Sequence, residues 1–125
     1  MPISFHYDPE KDALFCIAEG WVVLEDFQNM MLEIIGSGEF SPDVRTLWDL
    51  RKLDLSSLTK ELADQLIALR ANSPQRGATR IAIIADVNHS FAMSRMYEML
   101  SSDLPQEIMV FRDFAAGEEW LLSSE

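Results

Sequence analysis

Cysteine is almost absent: Cys16 is the only one in 125 residues. One thiol cannot close an internal disulfide or build a multi-cysteine metal site. Basic residues are scarce, with 10 Lys and Arg against 21 Asp and Glu and a net charge of −11. A chain of that sign repels phosphates and anionic lipid, so nucleic acid is not expected as a partner. No apolar run approaches the ~20 residues that cross a bilayer, so no membrane span is expected. The opening segment Met1–Tyr7 lacks the basic and apolar parts of a leader, and Asp8, Glu10 and Asp12 follow at once. The expectation is a cytoplasmic protein with a reduced thiol. Histidine is limited to His6 and His89. The one GxG run, Gly36-Ser37-Gly38, follows a predicted helix, whereas a phosphate loop follows a strand; it reads as a helix stop.

What is present is an ordinary core-forming composition, 48% apolar and 25% charged, long enough for one domain over residues 1–125. Ile3–Tyr7 predicts a strand and Asp8–Asp12 a turn, since proline fixes φ and aspartate favours turn positions. Ala13–Glu19 predicts a second strand, apolar on both faces as a central strand is. The two form a hairpin. Leu24, Phe27, Met31 and Ile34 recur at helical spacing and predict a helix over Leu24–Ile35, with Gly36 at C′ and Val23 a poor N-cap.

Arg45–Leu50 predicts a third strand, and Leu53–Leu58 a connection. Thr59 should cap a helix reaching Ala71, with Leu62, Leu66 and Leu69 as its stripe. Thr79–Ala85 predicts a strand buried on both faces. Asp86–Ser90 reads as a loop and cap, Phe91–Leu100 as a helix, and Ile108–Phe111 as a strand. Phe114–Leu122 reads as a last helix that Gly117 weakens. This order predicts an α/β fold: an N-terminal β-hairpin leading into a mostly parallel five-stranded sheet with four helices.

Catalytic chemistry is thinly represented. His89 and Ser90 are neighbours, but adjacent side chains at a helix start rarely meet, so a hydrolase dyad is not expected. A strand-interior Cys16 reads as inert. His6, Asp8, Glu10 and Asp12 match neither zinc nor EF-hand spacing and read as a solvated turn. The pattern calls for no enzyme activity, no metal and no cofactor. Met93, Met96 and Met99, with Phe91 and Leu100, form an apolar helix surface that could pack as core or line a ligand groove. The best polar set comes from topology, because ligands of parallel sheets usually bind at the strand C-termini. That edge should gather Asp49, Arg51, Ser57, His89, Arg95 and Arg112 as a ligand or partner surface. Its arginines would either take an anion or pair with Asp49, Asp54 and Asp113.

Leu47-Trp48-Asp49-Leu50-Arg51, Leu58-Thr59, Arg80-Ile81-Ala82-Ile83, Phe91 to Glu98 and Val110-Phe111-Arg112-Asp113 resemble, in order, the SpoIIAA-like family. These small bacterial proteins are grouped with STAS domains and, more distantly, with CRAL-TRIO lipid-binding domains. The resemblance implies a β-α superhelix with strands in sequential order. It also implies a non-enzymatic regulatory or protein-interaction module or, alternatively, a carrier or sensor of a small apolar or lipid-like ligand. STAS-type antagonists carry a phosphorylated serine opening the second helix. Ser56 and Ser57 lie near that place, but the small-residue signature after it is missing, which argues against a kinase-switched antagonist. Sequential strands with right-handed crossovers put every crossover helix on one sheet face. The other face, apolar in the fourth and fifth strands, would need a cover, and a homodimer is the expected one.

Overall fold

Apolar alternation pairs the first two strands. β1 (Ile3–Asp8) and β2 (Ala13–Gly20) run antiparallel, with Phe5 opposite Cys16 and Tyr7 opposite Leu14. The computed structural model describes residues Pro2–Ser123. Asp8 closes the hairpin turn by accepting from the Glu10 and Lys11 amides at 3.0 and 3.3 Å. Asp12 takes the left-handed position at φ 49°, where aspartate is one of the few tolerated side chains. These acids are occupied by turn making, with Asp12 also accepting from Tyr7 Oη at 2.7 Å.

From β2 onward strands and helices alternate: α1 (Leu24–Gly36), β3 (Arg45–Leu53), α2 (Lys60–Ala71), β4 (Arg80–Ile84), α3 (Asn88–Leu100), β5 (Glu107–Phe111) and α4 (Phe114–Leu122). The sheet order is β1-β2-β3-β4-β5, parallel from β2 on. The α/β class, the hairpin and the sequential order are as expected.

Several boundaries differ for local reasons. α1 starts at Leu24 despite its valine N-cap, because Asp26 reaches back and accepts from the Val23 amide at 2.9 Å. Gly36 is the last helical residue rather than C′. β3 runs three residues past Leu50, to Leu53, because a bulge opposite Ile17–Glu19 absorbs the extra residue. Asn88, His89 and Ser90 were expected in a loop; they form the first turn of α3, capped by no side chain.

Residue parity divides the sheet into two faces. Ala18, Leu50, Ile81, Ile83, Ile108 and Val110 face α1, α2 and α3, where Phe27, Leu66, Phe91 and Tyr97 pack. Ala13, Leu47, Ala82 and Ile84 face the other way, onto Leu121, Phe114 and Trp120 of α4. The face expected to be bare is therefore closed over β3–β5 by α4. Its two turns suffice because Gly117 lets the helix backbone sit directly on the Ile84 side chain. Among the described residues, the large exposed apolar side chains on that face are Ile17 and Met109. The premise of the homodimer expectation, an uncovered apolar sheet, does not hold for β3–β5.

Candidate functional site

The C-terminal strand edge assembles part of the expected polar set. Asp49, in the middle of β3 and level with Ile84 at the end of β4, accepts from Arg51 Nε at 2.9 Å and Nη2 at 2.8 Å, a bidentate fork. The Arg51 guanidinium also lies 5.3 Å from the Phe114 ring centroid. Burial pushes Asp49 up, but the side-chain and backbone hydrogen bonds from Arg51 outweigh it and hold the carboxyl below its ordinary value. Arg112, just past β5, donates to Asn88 Oδ1 at 3.1 Å and stacks 4.3 Å above the Phe91 ring.

The other expected residues do not join them. Ser57 is buried in a 3-10 turn (Leu55–Ser57), and its hydroxyl donates to the Asp54 carbonyl at 2.6 Å. Ser56 is the exposed serine of the pair, hydrogen-bonded to the Asp54 carboxylate. Arg95 is exposed and paired with Glu98 one turn along α3 at 3.2 Å. His89 is exposed, whereas Ser90 is buried with its hydroxyl on the Val87 carbonyl, so the two do not form a dyad. This edge is a set of small, separately satisfied pairs.

A concave feature lies between α2 and the sheet. A cavity of about 130 Å³ is walled by Leu58, Leu62 and Leu66 with α1 (Phe27, Met30, Met31), β3 (Trp48, Leu50), β4 (Ile81, Ile83) and α3 (Met93, Tyr97). Trp48 is braced by Phe27, ring centroids 5.4 Å apart. Of the methionine surface expected on α3, only Met93 reaches the cavity; Met99 and Leu100 are exposed.

The lining is apolar except for a few groups, chief among them two arginines. Arg70, in the last turn of α2, is 7% exposed, and Arg76, in the 3-10 turn before β4, is 3% exposed. Arg70 donates from Nε and Nη2 to Gln106 Oε1 and from Nη1 to the Tyr97 hydroxyl at 3.0 Å. Arg76 donates to the Pro42 carbonyl at 2.6 Å and to the Thr46 hydroxyl at 2.7 Å. Among the described residues, neither is ion-paired with a carboxylate. Burial pulls the Arg76 guanidinium down to about 10; Asp43 opposes that pull at a distance and the like charge of Arg70 adds to it. Burial likewise raises the Tyr97 phenol, against the opposing pull of Arg70.

The sequence reading passed over both arginines. A signal existed for one of them: Arg70 is four residues after Leu66 and eight after Leu62, so it continues the apolar stripe of α2. A charged residue on a core stripe is the informative exception. Arg76 lies outside any periodic element and left no comparable mark.

No family model and no curated protein matches the chain. A solved structure does: an uncharacterized DUF3478-family protein with a SpoIIAA-like fold from Shewanella loihica PV-4. It superposes with a TM-score of 0.65 at 24% identity, over 95% of this chain and 93% of that one. This chain has a SpoIIAA-like fold. Sequential strands are the part of that fold that makes the cavity, because they place α1, α2 and α3 side by side on one sheet face. Among the described residues, no helix is long and apolar enough to cross a membrane.

Proposed function

We propose that this chain is a non-enzymatic regulatory module that responds to a small apolar molecule held between α2 and the sheet. The SpoIIAA-like fold is consistent with a STAS-like regulatory role. The observation that carries the ligand reading is the cavity of about 130 Å³. Protein interiors are packed with few voids larger than a water molecule. An engineered apolar cavity of roughly 150 Å³ stays dry and takes up benzene. Self-association has less to support it, since, among the described residues, Ile17 and Met109 are the large exposed apolar side chains on the face that a second copy would cover.

The test is organic extraction of the purified protein followed by mass spectrometry, with thermal melts against a panel of small apolar compounds. A co-purifying molecule, or a Tm raised by a compound of about benzene's size, is expected. The Tm gain should vanish in Leu66→Trp, which fills the cavity from α2. An extract with no bound molecule, together with an unmoved Tm across the panel, overturns the proposal.

A further inference from the structure

We infer that the cavity takes a small monocarboxylate, its acid group held by Arg70 and Arg76 and its apolar body lying under α2. This rests on the ligand-binding reading and adds the ligand's chemical class.

Two buried guanidiniums with no acid paired to them among the described residues are an expensive arrangement for a 125-residue chain that carries 21 acids. A buried charge is normally paired or neutralised, because the cost of taking it out of water is recovered only by an opposite charge and full hydrogen bonding. Here the partners are neutral: an amide and a phenol for Arg70, a carbonyl and a hydroxyl for Arg76. The hydrogen bonding is also incomplete. A guanidinium has five N–H groups; among the described residues, Arg70 uses three and Arg76 two. An anion with acceptor oxygens would meet the N–H groups that remain.

The two arginines belong to one end of the cavity. Arg70 bonds Gln106, and Gln106 Nε2 donates to the carbonyl of Gly77, the residue after Arg76, at 2.6 Å. That end lies at the N-terminal side of β4 and β5, since Arg76 precedes β4 and Gln106 precedes β5. Both arginines line the same space as Leu62, Leu66 and Ile83. A ligand seated there would put its anionic head on the arginines and its body against the leucines. A cavity of about 130 Å³ limits that body to about six carbons. A carboxylate suits such a site because a planar fork of N–H groups matches its two oxygens.

The experiment is calorimetric titration with hexanoate and with its neutral counterpart hexan-1-ol, on the wild-type chain and on Arg70→Met and Arg76→Met. Hexanoate should bind about tenfold or more tightly than hexanol to the wild-type protein, the size expected of charge-assisted hydrogen bonds. The ratio of hexanoate to hexanol affinity should fall several-fold in each variant, whatever the change in hexanol affinity itself. Retained hexanol binding also shows that the variant is folded. If one variant fails to fold, the other and Arg70→Lys, which keeps the charge but loses the fork, decide between the outcomes. Arg70→Lys is expected to weaken hexanoate more than hexanol. Equal affinity for hexanoate and hexanol overturns the carboxylate assignment and leaves the ligand reading standing. Binding of neither compound, nor of benzoate or benzene, overturns both.

Discussion

Arg70 Nε and Nη2 converge on one amide oxygen, Gln106 Oε1, at 3.2 and 3.0 Å, from a position 36 residues earlier in the chain. The same amide donates to the Gly77 carbonyl, so Gln106 orients the guanidinium of a cavity-lining arginine. Gln106→Glu would replace that neutral acceptor with a built-in carboxylate. The expected outcome is loss of the hexanoate preference over hexanol, read by calorimetry, because the resident acid now competes for Arg70. No gain in stability is expected, since the glutamate cannot donate to the Gly77 carbonyl. A hexanoate affinity equal to wild type would show that Arg70 does not meet the ligand.

Gly117 offers a test with opposite signs. Helix propensity alone makes Gly117→Ala stabilising by about 1 kcal/mol. The packing of α4 on β4 says otherwise: an added Cβ would overlap the buried Ile84 Cδ1 and crowd the Phe111 ring. Overpacking of this kind costs about 1–3 kcal/mol. Thermal or denaturant unfolding is expected to show net destabilisation, and a higher Tm would mean that α4 sits further from the sheet.

The Asp49–Arg51 fork predicts a pH dependence. Asp49 has a folded pKa below its ordinary 3.8, through the hydrogen bonds from Arg51 that outweigh the effect of burial. A carboxyl depressed in this way adds stability above 3.8, lost as pH falls through the lower folded value. Asp49→Asn should therefore cost up to about 1 kcal/mol near neutral pH, as befits a half-exposed pair. The cost should shrink toward zero in acid below the folded pKa. Urea unfolding of both proteins across that range measures it, and a penalty that grows in acid would reverse the sign.

Cys16 is fully buried in β2, and burial drives its thiol far above the ordinary range. The thiolate is the reactive form. Native protein should resist maleimide at neutral pH, with labelling appearing only as denaturant opens the fold. Rapid labelling of the native chain would place β2 in a locally open state.

How much could be read without coordinates differs sharply between fold and site. The runs Ile3–Tyr7 and Ala13–Glu19 around the Asp8–Asp12 turn, and the apolar run Ile81–Ala85, were enough for the hairpin and the parallel core, because strand and turn signals are local properties of the chain. The bulge in β3 and the early start of α3 were not legible. One depends on the register against β2, and the other on a helix beginning without a capping side chain. Reading Gly117 as a helix weakener was sound local chemistry that missed the close approach of a strand from another part of the chain.

The site shows the same division. The sequence alone determined the α/β order, the acidic balance and a strand position for Cys16; it set Asp49 and Arg51 two residues apart, within reach of each other, but left open whether the arginines pair or take an anion. Tertiary structure alone decided that the C-terminal strand edge holds separate pairs and that a concave space lies under α2. It also decided that Arg70, Tyr97, Gln106 and Arg76 meet at the opposite strand edge. The physical reason is separation along the chain. Burial and charge compensation depend on which groups become neighbours, and for Arg70 and Arg76 those neighbours come from distant segments. An unpaired buried charge exists only once the fold has removed the water around it.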